Sequence, residues 1–384
     1  MTAPPTQATE AGPEGHDDRW EPLMVWVLSR VSVVVLSVAS AWTLARGTAA
    51  EVPGFTEIWY RWDADLFAKI ARWGYLGYPE HYPDKGTAAF FPGQPLALRV
   101  GELVTGSLPT AGLLLSFVAG GVASVALGRV AALDHEPGVG SRAVLYLVAS
   151  PFAVFLFAGY SEALFLALAT TAWLAARRGR WWWAGALSCL AGTVRITGAF
   201  LALALLVMWL VDRDGHGRRW RDVPALALSF AGVAGFFVYL HSITGDWLAY
   251  QHVQATAFGR HLDAPWTSFL TTFDAARYPD QRATFAWSFG AELIALLVGV
   301  VLTVVLVVRR DWGEAVYIGA QVVTLSTSSF YASVGRATLV WWPLWILLAV
   351  AAARHRVVGA VYLGLAIPLS AAGIAAFTQG QWVG

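Results

Sequence analysis

FAWSFGAELIALLVGVVLTVVLVV, residues 285–308, decides what kind of molecule this is. A helix of that length is about 36 Å long at 1.5 Å per residue, more than the ~30 Å of a bilayer's hydrocarbon core. It is too long and too apolar for the core helix of a soluble domain. The same character recurs at 23–46, 110–131, 143–158, 162–176, 181–194, 197–211, 223–241, 315–328, 337–353 and 357–377, so the sequence predicts about eleven spans. Several of these runs are shorter than the ~20 residues an upright span needs, above all the four between 143 and 211. The fold class expected is an all-α polytopic membrane protein, with one multi-pass domain over residues 23–384.

Composition agrees. Of 384 residues 57% are hydrophobic and 13% charged, against about 25% charged in soluble domains. Twenty tryptophans suit membrane–water interfaces. Residues 1–22 are rich in Pro, Gly, Thr and acid and read as a disordered tail before an uncleaved first span. A net charge of +1 gives no reason to expect nucleic acid as a partner. The single cysteine, Cys189, reads as a buried structural thiol. Basic residues are almost all arginine, with Lys69 and Lys85 the exceptions, which reads as a high-GC bacterial coding bias. There is no Walker A loop and no dinucleotide-binding glycine fingerprint, which argues against a nucleotide-driven reaction on the inner side.

Arginine placement orients the chain. With the N-terminus cytoplasmic, Arg142 and the clusters RRGR (177–180), DRDGHGRRWRD (212–222), RRDW (309–312) and RHR (354–356) all fall inside, as the positive-inside rule asks. The outer side then receives loop 47–109, the turns GYSE (159–162) and RITG (195–198), loop 242–284 and STSSFYASVGR (326–336). Residues 95–108, apolar but carrying Arg99 and Glu102, read as a short helix at the interface. Asp63, Asp65, His81, Glu162, Arg195, Gln254, Arg260 and Arg336 all come to the outer face. Ionisable groups at the edge of apolar spans are costly and mark function, so one outward-facing polar cavity is expected to collect them.

Each of these residues has an ordinary reading beside the functional one. From Asp63 onward Leu66, Phe67, Ile70 and Trp73 recur at helical spacing, opposed by Asp65, Lys69 and Arg72, which predicts an amphipathic helix lying along the interface. Asp65 can pair with Lys69 four residues on, whereas Asp63 has no local partner. Asp63 is therefore an N-cap, a general base, or both. Ser161 reads as an N-cap, with Glu162 suiting the positive end of its helix. Arg195 has no acid nearby in sequence; it either snorkels to lipid headgroups or grips an anion such as phosphate, and Arg336 has the same two readings. AAFFPGQPL (88–96) is an interfacial turn or a wall for a lipid chain. His252 and His261 read as loop residues, because the histidines show no metal-site spacing with acids.

WDADLFAKIARWGY (62–75), followed in order by AFFPGQPL (89–96), YSEALFLAL (160–168), RITG (195–198), GDWLAYQHVQATAFGR (245–260) and SVGRATLVWWPLW (333–345), resembles the PIG-V family of GT-C glycosyltransferases, whose eukaryotic members add the second mannose in GPI-anchor synthesis. The chain departs from relatives at Ala337, where they often have tyrosine. The resemblance implies a GT-C-like multi-helix mannosyltransferase of the plasma membrane, active on the outer face. The donor would be polyprenyl-phosphate mannose and the acceptor a lipid or glycan. It also implies that Asp63 is the essential acid of the first outer loop. Inverting transfer would use Asp63 as base, with Arg195, Arg336 and, third, Arg260 stabilising the departing phosphate. Asp65, Trp62, Glu162, Gln254, Trp266 and His81 would line the substrate, with sugar stacking on Trp62, Trp59 or Trp266. No cofactor or metal is required if arginines carry the phosphate, a divalent cation being the alternative. Two rivals stand beside this reading: a transferase of the same architecture for another polyprenyl-linked sugar, and a lipid or polyprenol transporter.

Overall fold

A computed structural model describes residues 20–44, 54–77, 86–211, 215, 219–278 and 283–383. Sixteen α-helices run among them: α1 (Glu21–Leu44), α2 (Asp63–Trp73), α3 (Gly93–Thr105), α4 (Leu108–Ala131), α5 (Val139–Ala149), α6 (Ser161–Arg177), α7 (Trp181–Val194), α8 (Thr197–Val211), α9 (Val223–Thr244), α10 (Ala249–Phe258), α11 (Pro265–Arg277), α12 (Ala283–Val308), α13 (Trp312–Ser326), α14 (Val334–Ala337), α15 (Trp342–Arg354) and α16 (Arg356–Thr378). Extended pairing among the described residues is confined to one isolated bridge, Leu262 with Ser328. The expected tail lies, up to residue 19, outside the described residues, and helix begins at Glu21, just inside the boundary expected for it.

Every apolar run of the sequence contains helix, but the described helices do not confirm the expected count of about eleven spans. Five described helical segments are long and apolar enough to cross a membrane: Glu21–Thr43, Leu108–Ala131, Trp220–Thr244, Trp287–Val308 and Arg356–Thr378. A sixth arises if Val334–Val340 and Trp342–Arg354, bent by 75° from each other, form one broken span. α6, α7, α8 and α13 have 17, 14, 15 and 15 residues, short of the ~20 an upright crossing requires. The run 143–158 fails as one helix for a local reason. Ser150, pushed into extended backbone (ψ 142) ahead of Pro151, stops α5, and Ala153–Leu156 resume only as a 3₁₀ turn. The chain is a multi-pass membrane protein.

Small residues bring the short helices together. A methyl group at Gly185 would collide with the Ala225 carbonyl, and one at Gly232 with the Cys189 carbonyl, so α7 and α9 meet backbone to backbone. Such contacts are how helices associate where burying apolar surface gives no advantage over lipid. Between α4, α6, α13, α15 and α16 lies an aromatic core in which Trp59, Trp173, Trp341, Trp342, Tyr160, Phe155 and Phe377 are fully buried. α3 lies outside that core with Leu103 and Val104 more than four-fifths exposed and Arg99 bridged to Glu102 at 3.0 Å, as a short interfacial helix would. α2 is amphipathic as expected: it buries Ala64, Phe67, Ala68 and Ile70, while Trp73 remains exposed.

α6 separates two polar ends of the bundle. Glu162 stands in its first turn and Arg177 closes its last, about 22 Å apart along the axis. At the Arg177 end, Arg177 grips Asp134 through two hydrogen bonds of 2.9 Å, and Arg309 meets Asp311 at 3.0 Å. At the Glu162 end lies the site described next.

Candidate active site

Asp63 opens α2 directly after Trp62, whose backbone is left-handed (φ 49, ψ −116). Conformations this rare for a bulky side chain cost about 1–3 kcal/mol and persist where the surroundings enforce them. Trp62 is held edge-on to Phe377 and Trp382, with ring centres 5.2 and 5.5 Å away. The N-cap position thus belongs to Trp62 and not to Asp63, and the Asp63 carboxylate is directed to a remote partner.

That partner is Arg336, whose Nη1 lies 2.8 Å from Asp63 Oδ2. Arg336 also donates from Nε and Nη2 to Glu162 Oε1, at 2.9 and 2.7 Å. Its guanidinium stands over the rings of Phe155 and Tyr160, 4.7 and 4.8 Å from their centres. The side chain is 5% exposed, that of Glu162 0% and that of Asp63 16%. Breaking a buried pair of this kind strands a charge and costs about 3–5 kcal/mol.

Arg195, in extended backbone between α7 and α8, reaches the same acid, with Nη1 2.8 Å from Glu162 Oε1 and 2.8 Å from Ser161 Oγ, which accepts its proton. Arg195 and Arg336, for which the sequence offers lipid headgroups or a bound anion as partners, are both engaged by an acid of the chain, since the fold delivers Glu162 to both. Ser161 is likewise not the N-cap expected of it; Tyr160 takes that place, and the Ser161 hydroxyl serves Arg195.

Arg260, just beyond α10, donates from Nη2 to Ser333 Oγ at 3.2 Å. Burial pushes its guanidinium pKa down, and Asp63 and Glu292 lie close enough to act on it electrostatically. Glu292, on α12, caps a helix that is not its own: it accepts the N–H groups of Ser333, Val334 and Gly335 at 2.9, 2.6 and 3.1 Å. Ser333, left-handed at φ 63, precedes α14 as Trp62 precedes α2. Both charged residues of the central pair therefore follow strained turns.

The remaining candidates scatter. Asp65 pairs with Lys69 at 2.6 Å, as expected, on another face of α2 from Asp63. Burial, assisted by Asp65, pushes the neighbouring Tyr60 hydroxyl up to about 12, so it stays protonated at neutral pH. Gln254 donates to the Tyr250 hydroxyl at 3.0 Å. Trp266, at the start of α11, is 71% exposed, while Trp59 is packed against Phe157 and Phe377 and has no free face. Of the three tryptophans expected to stack a sugar, Trp62 is the one adjacent to Asp63. His81 lies outside the described residues. No group of three or more His, Cys, Asp or Glu side chains among the described residues is arranged to hold a metal ion.

A large apolar cavity of about 870 Å³ borders this site. It lies between α12, α15 and α16, with Ile294, Val298, Leu348 and Tyr362 in its wall together with Phe152, Thr338 and Trp382. Trp382 touches Trp62, and Phe152 packs so closely on Gly335 that a Cβ there would strike its ring.

Sequence reasoning missed Glu292. The signal was present, since a carboxylate inside the most apolar run of a chain is a functional candidate by its placement alone. The paired Phe155 and Tyr160 rings beneath Arg336 had no sequence signal, because aromatic residues in apolar runs are ordinary.

Comparison with known proteins places these residues in context. Residues 49–213 match the family model described as Mannosyltransferase (PIG-V). GPI alpha-1,6-mannosyltransferase 2 of Mus musculus is 41% identical over 152 residues, and its counterparts of Rattus norvegicus and Homo sapiens are 43% and 41% identical over 149 and 151 residues. Each match covers 36% of this chain and 29% of the relative, so the chain aligns with less than a third of those proteins' length. The solved apo structure of ArnT from Cupriavidus metallidurans superposes with a TM-score of 0.40 at 15% identity, over 92% of this chain and 76% of that one. Arg260, Glu292 and Arg336 lie beyond the matched segment. Residues 49–213, the stretch that matches the PIG-V mannosyltransferase family model, carry Asp63, Glu162 and Arg195.

Proposed function

We propose that the protein is a glycosyltransferase that moves mannose from a polyprenyl-phosphate donor to a lipid or glycan acceptor, on the face of the membrane away from the cytoplasm. The observation that carries this reading is the meeting of Asp63, Glu162, Arg195 and Arg336 at one end of the bundle, with the first three inside the PIG-V segment. Asp63 is the general base. It takes the proton of the acceptor hydroxyl as that oxygen attacks the anomeric carbon, and the bond from that carbon to the phosphate oxygen breaks with inversion. The charge growing on phosphate needs fixed positive groups, which the arginines of the site supply. The apolar cavity beside Trp62 and Thr338 has the size and lining to take part of a prenyl chain. The clustering of basic loop residues at the opposite end of α6 supports an outward-facing site.

The test is transfer of radiolabelled mannose from polyprenyl-phosphate mannose by the purified protein in lipid, with the product identified. Polyprenyl-phosphate glucose and arabinose run beside it fix the sugar. No labelled product from any of these donors, with acceptor lipids and glycans supplied, would sink the reading.

A further inference from the structure

The site's three arginines are not equivalent. Arg336 has all three guanidinium nitrogens engaged by carboxylates, two on Glu162 and one on Asp63, and is 5% exposed. Arg195 shares one nitrogen between Glu162 and Ser161. Arg260 has a neutral partner, the Ser333 hydroxyl, and among the described residues no carboxylate lies within ion-pair distance of it. The charges of Asp63 and Glu162 cancel those of Arg195 and Arg336. The Glu292 carboxylate, near Arg260, is committed to three backbone N–H groups of the turn that carries Arg336. Arg260 is therefore the positive charge of the site that its own surroundings leave uncompensated by direct contact.

We infer a division of labour: Glu162 and Arg336 are positioning residues that hold Asp63 in place, and Arg260 is the side chain that receives the anionic phosphate of the donor. This rests on the transferase reading above. A bound phosphodiester carries one negative charge, which Arg260 matches. In the transfer step the acceptor O–H bond breaks, its electron pair forms the new bond to the anomeric carbon, and the proton moves to Asp63. The old bond from that carbon to phosphate breaks, and its electron pair stays on the phosphate as a second negative charge. Protonation of Asp63 at that moment releases Arg336 from the carboxylate it was neutralising. The positive charge so uncovered arises in the same step as the new charge on phosphate, where stabilisation is worth most.

Two measurements on the same full-length preparations test the assignment. One is calorimetric binding of citronellyl phosphate, a short prenyl monophosphate; the other is steady-state transfer from polyprenyl-phosphate mannose. Arg260→Gln is expected to weaken probe binding by tenfold or more and to raise the donor KM in step. Arg336→Lys and Glu162→Gln are expected to lower kcat by about a hundredfold while probe binding stays within about threefold of the unmodified protein. A simply structural role for the pair would not split kcat from binding in this way. Arg260 lies outside the buried pair, so its variant decides the phosphate assignment even where an Arg336 variant fails to fold. Ser333→Ala, which removes the partner of Arg260 alone, is expected to weaken binding by about threefold. The assignment is overturned if Arg260→Gln binds the probe as the unmodified protein does, or if a folded Arg336→Lys protein loses binding as Arg260→Gln should. A protein that binds the probe but transfers no sugar defeats the transferase reading, while the binding comparison still judges Arg260; a protein that binds no probe defeats both.

Discussion

The two ends of α6 show two ways for a membrane protein to use charge. At the Arg177 end, Arg177 and Arg309 meet Asp134 and Asp311 close to the helix ends, with Asp134 39% exposed. At the Glu162 end, the acids and arginines come from α2, α6, the α7–α8 turn and α14, and Glu162 and Arg336 are sealed from solvent. The first arrangement keeps one partner of each pair open to water, Asp134 and Arg309, while Arg177 and Asp311 are 9% exposed. The second does not, so each charge there exists on condition of the others. Charge that a fold could omit more cheaply, yet buries with strained backbone at Trp62 and Ser333, points to chemistry rather than cohesion.

The comparison can be broken most directly at Asp63. Asp63→Asn keeps the shape and a hydrogen bond to Arg336 but removes the base; transfer of labelled mannose should fall by about 10³-fold or more, with the thermal unfolding midpoint near that of the parent. A variant that turned over at a tenth of the parental rate would remove Asp63 from the mechanism. Arg336→Gln should instead be a stability lesion of about 3–5 kcal/mol, because it leaves Asp63 without its ion-pair partner and the buried Glu162 with Arg195 alone. The double variant Glu162→Gln with Arg336→Gln should recover part of that loss in a denaturation series while remaining inactive. Ser333→Gly should leave stability within about 1 kcal/mol of the parent, since relief of the left-handed strain offsets the lost contact to Arg260, yet it should raise the donor KM. At the other end, Asp134→Asn should cost about 1 kcal/mol or less and leave transfer unchanged in the same assay. Equal sensitivity at Asp134 and Arg336 would erase the distinction between the two ends.

How much of this the sequence revealed depends on range. Segmentation was legible because apolar runs are local: each contains helix, α2 is amphipathic as expected, and a short helix, α3, forms where 95–108 was expected to hold one. The number of crossings was not, since runs such as 143–158 and 337–353 contain breaks at Ser150–Pro151 and before Pro343 that a hydropathy window averages away. The site was legible as an inventory and illegible as a network. Asp63, Glu162, Arg195 and Arg336 stood out as ionisable groups at the edges of apolar runs. Their pairing did not, because Glu162 and Arg336 are 174 residues apart and nothing local to either implies the other. That gap turned two arginines that looked free into residues already engaged.

The same separation bears on biogenesis. Glu162 leaves the ribosome 174 residues before Arg336, an interval of roughly 10–35 s at typical elongation rates. Arg195 follows sooner and can neutralise Glu162, but throughout that interval the guanidinium that pairs with Asp63 has yet to be made. Hydration, or protonation, must protect Asp63 until Arg336 inserts. The network of Asp63, Glu162 and Arg336 is thus among the last parts to form, and a ribosome stalled before residue 336 would leave a helical bundle embedded in the bilayer with that network incomplete.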